Sequence, residues 1–66
     1  MNDRDREMAE AHILADLAKV GSREYGRITD RLMDVFHPMV LRGHITISRG
    51  NVQIVEITAA GREAVK

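Results

Sequence analysis

Gly43–His44–Ile45–Thr46–Ile47–Ser48–Arg49–Gly50–Asn51–Val52–Gln53–Ile54–Val55–Glu56–Ile57–Thr58 is the stretch whose reading decides the fold. Up to Gly43 the apolar residues recur every three or four positions. Beyond it they alternate, with Ile45 and Ile47 on one side and Thr46 and Ser48 on the other. The change of period predicts a strand over Ile45–Ser48. Arg49, Gly50 and Asn51 then form a three-residue link in which Gly50 or Asn51 can take positive φ, and a β-branched second strand follows over 52–57. Thr58 can cap a last helix that begins at Ala59. Gly61, a poor helix former in the first turn of that helix, is best explained by close approach to a neighbouring element.

Working back from the hairpin, Ala9, Ile13, Leu17 and Val20, flanked by Met8 and Leu14, predict an amphipathic helix over 5–20. Asp3, Asp5 and Glu7 suit its N-terminal dipole, and Gly21 stops it. Ser22 is then read as the cap of a second helix running to about Met33, with Tyr25, Ile28, Leu32 and Val35 or Phe36 on one stripe and Arg23, Arg27 and Arg31 on another. Pro38 disfavours helical geometry at His37. A bend over 34–37 and a short third helix over 38–42, ended by Gly43, are therefore expected. Ile13, Leu17, Ile28, Leu32, Leu41, Ile45 and Ile57 form the expected core, with Met8, Met33 and Met39 as fillers.

The chain has 66 residues, 44% hydrophobic and 30% charged, which reads as one globular domain over 1–66 of α+β class. So small a core gains from self-association, and with no cysteine neither disulfides nor thiolate metal sites can staple it. No apolar run of signal-peptide or membrane-span kind is found, so a cytoplasmic location is expected. Ten basic residues balance ten acidic ones. The balance is uneven along the chain. Residues 1–18 hold two basic and five acidic groups, a net of −3, and residues 19–66 hold eight and five, a net of +3. A basic rear half permits nucleic-acid binding.

The segment from Met39 to Lys66 resembles the back half of winged helix-turn-helix proteins of the MarR and PadR types. The resemblance rests on Leu41, Gly43 and Ile45 at the entry to the hairpin and on Ile57, Thr58, Ala59, Ala60, Gly61 and Arg62 at its exit. It implies a small winged-helix domain with three helices, a two-stranded wing and a short C-terminal helix. The implied function is that of a DNA-binding transcriptional regulator, expected to be dimeric. The front half departs from the family pattern, because residues 22–42 are few for two helices and a tight turn. Either the recognition helix is shortened or the DNA-reading element is reduced.

Arg23, Arg27 and Arg31, four apart, can follow phosphates from one helical face, although Asp30 and Asp34 stand beside them. Arg49 at the hairpin tip, with Thr46, Ser48 and Asn51, suits a wing that enters the minor groove and touches phosphate. Val52 and Ile54 lie on the opposite face of the second strand from Val55 and Ile57, and so need a cover of their own: a partner or second copy on an exposed apolar edge, or the N-terminal segment of the chain. The rival reading is a winged-helix protein-interaction module, such as an inhibitor or adaptor from a phage or mobile element; zero net charge, the acidic first helix and the doubly apolar strand favour it. His12, His37 and His44 match no metal-ligand spacing. Ser22 and Ser48 read as a cap and a strand residue, so neither catalysis nor a cofactor is expected.

Overall fold

A computed structural model describes residues 2–65 as α1 (Asp3–Val20), β1 (Ser22–Tyr25), α2 (Asp30–Leu41), β2 (Ile45–Ser48), β3 (Gln53–Ile57) and α3 (Ala59–Ala64). The fold is α+β, with three helices and one three-stranded antiparallel sheet in the order β1-β3-β2.

The first helix starts where the Asn2 side chain accepts a hydrogen bond from the Asp5 amide at 2.8 Å. It stops at Gly21, which takes a φ of 86° and donates its amide to the Leu17 carbonyl. The buried stripe of α1 is Glu10, Leu14 and Leu17; Ala9 and Ile13 are half-buried, whereas Met8 and Val20 are exposed. Met8 is thus not a core filler.

The greatest departure from the sequence reading follows Gly21. Ser22 caps no helix. Residues Ser22–Tyr25 pair with β3 instead, from Ser22↔Glu56 to Tyr25↔Gln53, and so satisfy their backbone in a sheet. Helical spacing in this segment was overridden by a tertiary partner that lies thirty residues away. The cap of the next helix is Thr29, whose hydroxyl accepts from the Leu32 amide at 3.3 Å. From there α2 runs unbroken through the expected bend, with Pro38 inside it. The amide that Pro38 lacks would have bonded the carbonyl of Asp34, and Asp34 and His37 are both exposed, so water can serve that group. The helix ends in a Schellman arrangement: Gly43 has a φ of 76° and donates to the Val40 carbonyl, and His44 donates to that of Met39.

Starting α2 at Thr29 sets its phase. Val35, Phe36 and Met39 turn inward, while Leu41, an expected core residue, is 74% exposed. The core is Leu14, Leu17, Val35, Phe36, Met39, Ile45, Val55 and Ile57; Ile13, Ile28, Leu32 and Met33 pack against it partly buried. Tyr25 meets Phe36 edge to face, with ring centroids 5.6 Å apart.

The hairpin forms as its alternation predicts, with Ile45↔Ile57 at its base and Ser48↔Ile54 toward its tip. Its link covers 49–52, one residue longer than expected, and neither Gly50 nor Asn51 has positive φ, because a loop of this length can be built without a left-handed residue. Nor is the second strand an edge. β3 is central, hydrogen-bonded to β1 on one side and β2 on the other, and Ile54 is half-buried between Glu24 and Ser48. Only Val52, in the link, remains exposed.

Thr58 caps α3, accepting from the Gly61 amide at 3.0 Å and donating to the Gly43 carbonyl at 2.5 Å. A Cβ on Gly61 would stand 2.2 Å from the His44 carbonyl oxygen and 2.7 Å from Ile57 Cγ1, so the expected close approach is present. Among the described residues no helix is long and apolar enough to cross a membrane.

Two substitutions test this packing by urea unfolding. Leu17→Ala is expected to cost about 2–5 kcal/mol, and a loss under about 0.5 kcal/mol would place Leu17 outside the core. Gly61→Ala is expected to lose at least about 1–3 kcal/mol, since the obstructing atom is backbone and α3 must lift to admit a methyl group. Unchanged stability in that variant would show that α3 is not docked.

Candidate nucleic-acid interface

The four arginines expected to touch DNA do not share one helical face. Arg23 lies in β1, Arg27 in the loop after it, Arg31 in the first turn of α2 and Arg49 in the hairpin link. Arg23 pairs with Val55 in the register and therefore lies on the inner side of the sheet, toward the helices. Its guanidinium grips Asp16 of α1 with two hydrogen bonds, one from Nε to Oδ2 and one from Nη2 to Oδ1 at 2.9 Å. Bound in this way, Arg23 is a tie between helix and strand, not a free cation.

The other three are brought to one end of the molecule. Tyr25 pairs with Gln53, the residue that follows the hairpin link, so the chain leaves β1 beside the hairpin tip. Arg27 comes two residues later and Arg31 six, and all three arginines are exposed. No hydrogen bond or ion pair holds them among the described residues. The N-terminus of α2, positive through its dipole, lies in the same region. Asn51 belongs to the tip as well. The acidic neighbours here are Glu24 and Asp30.

Of the other arginines, Arg4 in the first turn of α1 is exposed and likewise unpaired among the described residues, and three more are engaged. Arg6 pairs with Asp3 at 2.7 Å, Arg42 with Glu10 at 3.0 Å, and Arg62 donates to the Ala18 carbonyl at 3.1 Å. The Glu10 pair was not read from the sequence. Its signal was present, since Glu10 shares the i, i+4, i+7 phase of Leu14 and Leu17 and so had to be buried with them.

Two surfaces that the sequence reading joined to the arginines are acidic. The outer sheet face carries Glu24 and Glu56 beside Ser22, Thr46, Ser48 and Ile54; Thr46 lies directly opposite Glu56. Ser48 is exposed at the end of β2 next to the tip, whereas Thr46 shares its surroundings with a carboxylate. The outward stripe of α2 is Asp30, Asp34, His37 and Leu41. His12, His37 and His44 lie on three separate segments, and among the described residues no three histidine, aspartate or glutamate side chains assemble as a metal-binding group.

Comparison of the chain with family models, with curated proteins and with solved structures gives no match.

The Arg23 hydrogen bond holds the Asp16 carboxyl below its ordinary pKa; slight desolvation opposes this, and the charges of Arg23 and Lys19 add to it. A depressed carboxylate stabilises the fold above its unfolded pKa and loses that contribution as pH falls through the lowered folded value. An NMR titration should place the Asp16 midpoint below the ordinary aspartate value, and Arg23→Ala should return it upward. A midpoint that does not move would show that the pair is not formed in solution.

Proposed function

We propose that this chain is a winged-helix domain that binds duplex DNA as a regulator and holds the phosphate backbone from the hairpin end. The observation that carries the reading is the sorting of the arginines: Arg27, Arg31 and Arg49 are unpaired and gathered at one end, Arg6, Arg23, Arg42 and Arg62 are engaged elsewhere, and Arg4, also unpaired among the described residues, stands apart on the acidic first helix. A hairpin that follows a helix and leads into a capped helix supports the winged-helix assignment. Arg49 and Asn51 act as the wing, and Arg27 and Arg31 with the α2 N-terminus bind the adjacent phosphates. The aspartates on the outward face of α2 repel phosphate, so this helix is poorly suited to enter the major groove and the binding depends on backbone more than on base edges. One domain makes few phosphate contacts, and two copies on neighbouring half-sites double them.

A second reading, a winged-helix protein-interaction module, is favoured by one observation: Leu41 is 74% exposed within an acidic stripe, where a basic, partly apolar partner would fit.

Binding to a duplex at several salt concentrations separates the two. The DNA reading expects log affinity to fall steeply with log salt, and Arg27→Ala or Arg49→Ala should each flatten the slope by about one unit while leaving thermal stability nearly unchanged. Weak binding identical in the parent and the Arg49 variant would sink the DNA assignment. Under the second reading Leu41→Lys abolishes partner capture and the arginine substitutions do not.

A further inference from the structure

The base of the hairpin lies at the opposite end of the sheet from Arg27, Arg31 and Arg49. There the end of α2, His44 and the last turn of α3 meet the first half of α1 around a cleft of about 360 Å³. Glu10 lines this cleft and is only 7% exposed. One of its carboxylate oxygens accepts from Arg42 Nη1 at 3.0 Å; the other, Oε1, is buried and has no hydrogen-bond partner among the described residues. A buried carboxylate oxygen without a donor is uncommon in folded proteins and marks a place where a further donor belongs. Glu7, one turn earlier on α1, brings a second carboxylate to the same cleft, while Leu14, Met39 and Val65 give it apolar walls.

We infer that this cleft is a binding site for a small primary alkylammonium ion. Its N–H groups would supply the donor that Oε1 lacks, its charge would offset the excess of two carboxylates over the single Arg42 guanidinium, and its short aliphatic body would cover Leu14, Met39 and Val65. An anion would meet two carboxylates and no free donor on Glu10. A divalent metal ion would lack ligands, since no three suitable side chains come together among the described residues. The site requires nothing of the DNA reading, because it shares no residue with the hairpin end.

The test is an NMR titration of the ¹⁵N-labelled protein with n-butylammonium chloride and, at equal ionic strength, with tetramethylammonium chloride, which carries the charge without any N–H. The expected result is saturable shifts at Ala11, Leu14, His44 and Val65 with the first cation only. Glu10→Gln should weaken that binding by about tenfold. Glu7→Gln, at an exposed position, should weaken it to a smaller degree and serves as the folded comparison if Glu10→Gln does not fold. No saturation up to about 100 mM, or equal responses to the two cations, would overturn the site. Unchanged affinity in a folded Glu10→Gln protein would do the same.

Discussion

Thr58 holds the fold together through one hydroxyl that donates to the Gly43 carbonyl and accepts from the Gly61 amide. Its own amide bonds the His44 carbonyl, and the absence of a side chain at Gly61 lets α3 come down onto that same carbonyl. The link between α2 and β2, the exit of β3 and the start of α3 are thereby tied at one point. Nothing bulkier than glycine fits. In a domain of this size, with eight buried apolar residues, such a junction sets where the last helix stands, and the cleft beside Glu10 exists only because α3 ends there.

Charge is distributed by the same folding constraints. β1 places Arg23 on the inner side of the sheet, within reach of Asp16, which occupies its guanidinium with two hydrogen bonds. Glu10 is buried by the phase of α1 and pairs with Arg42, whose side chain stays exposed. Of the arginines left unpaired among the described residues, Arg4 lies on α1, and Arg27, Arg31 and Arg49 lie where β1, the hairpin and α2 open toward solvent. A net charge of zero therefore conceals a basic end and an acidic helix face. The two functional readings differ in which of these surfaces is used.

The hairpin and the capped helix after it were legible because both are local: period, turn and cap all lie within residues 43–61. The helix before them was misread. Ser22 resembles an N-cap and Arg23, Arg27 and Arg31 are spaced by four, yet a strand partner near residue 55 captured the segment. A spacing of four is compatible with a helix but does not require one. The difference carried into the site, since the expected stripe of Arg23, Arg27 and Arg31 on one helix became one tie and two cations on separate elements. It also carried into the core, where Leu41 was expected inside and is 74% exposed, and where Val35 and Phe36, expected as alternatives on one stripe, are both buried.

By itself the sequence determined the first helix and its stop at Gly21, the β-hairpin, the Thr58 cap and the need for glycine at position 61. Each depends on residues within a few positions of one another, where propensity and hydrogen-bonding geometry act directly. Only the tertiary structure decided that Ser22–Tyr25 is a strand, that Pro38 lies inside a continuous helix and that Glu10 is buried against Arg42. Those outcomes depend on which distant group satisfies a backbone amide, which carbonyl faces water and which charge lies across the core. Distances between elements, not local preference, settle such questions.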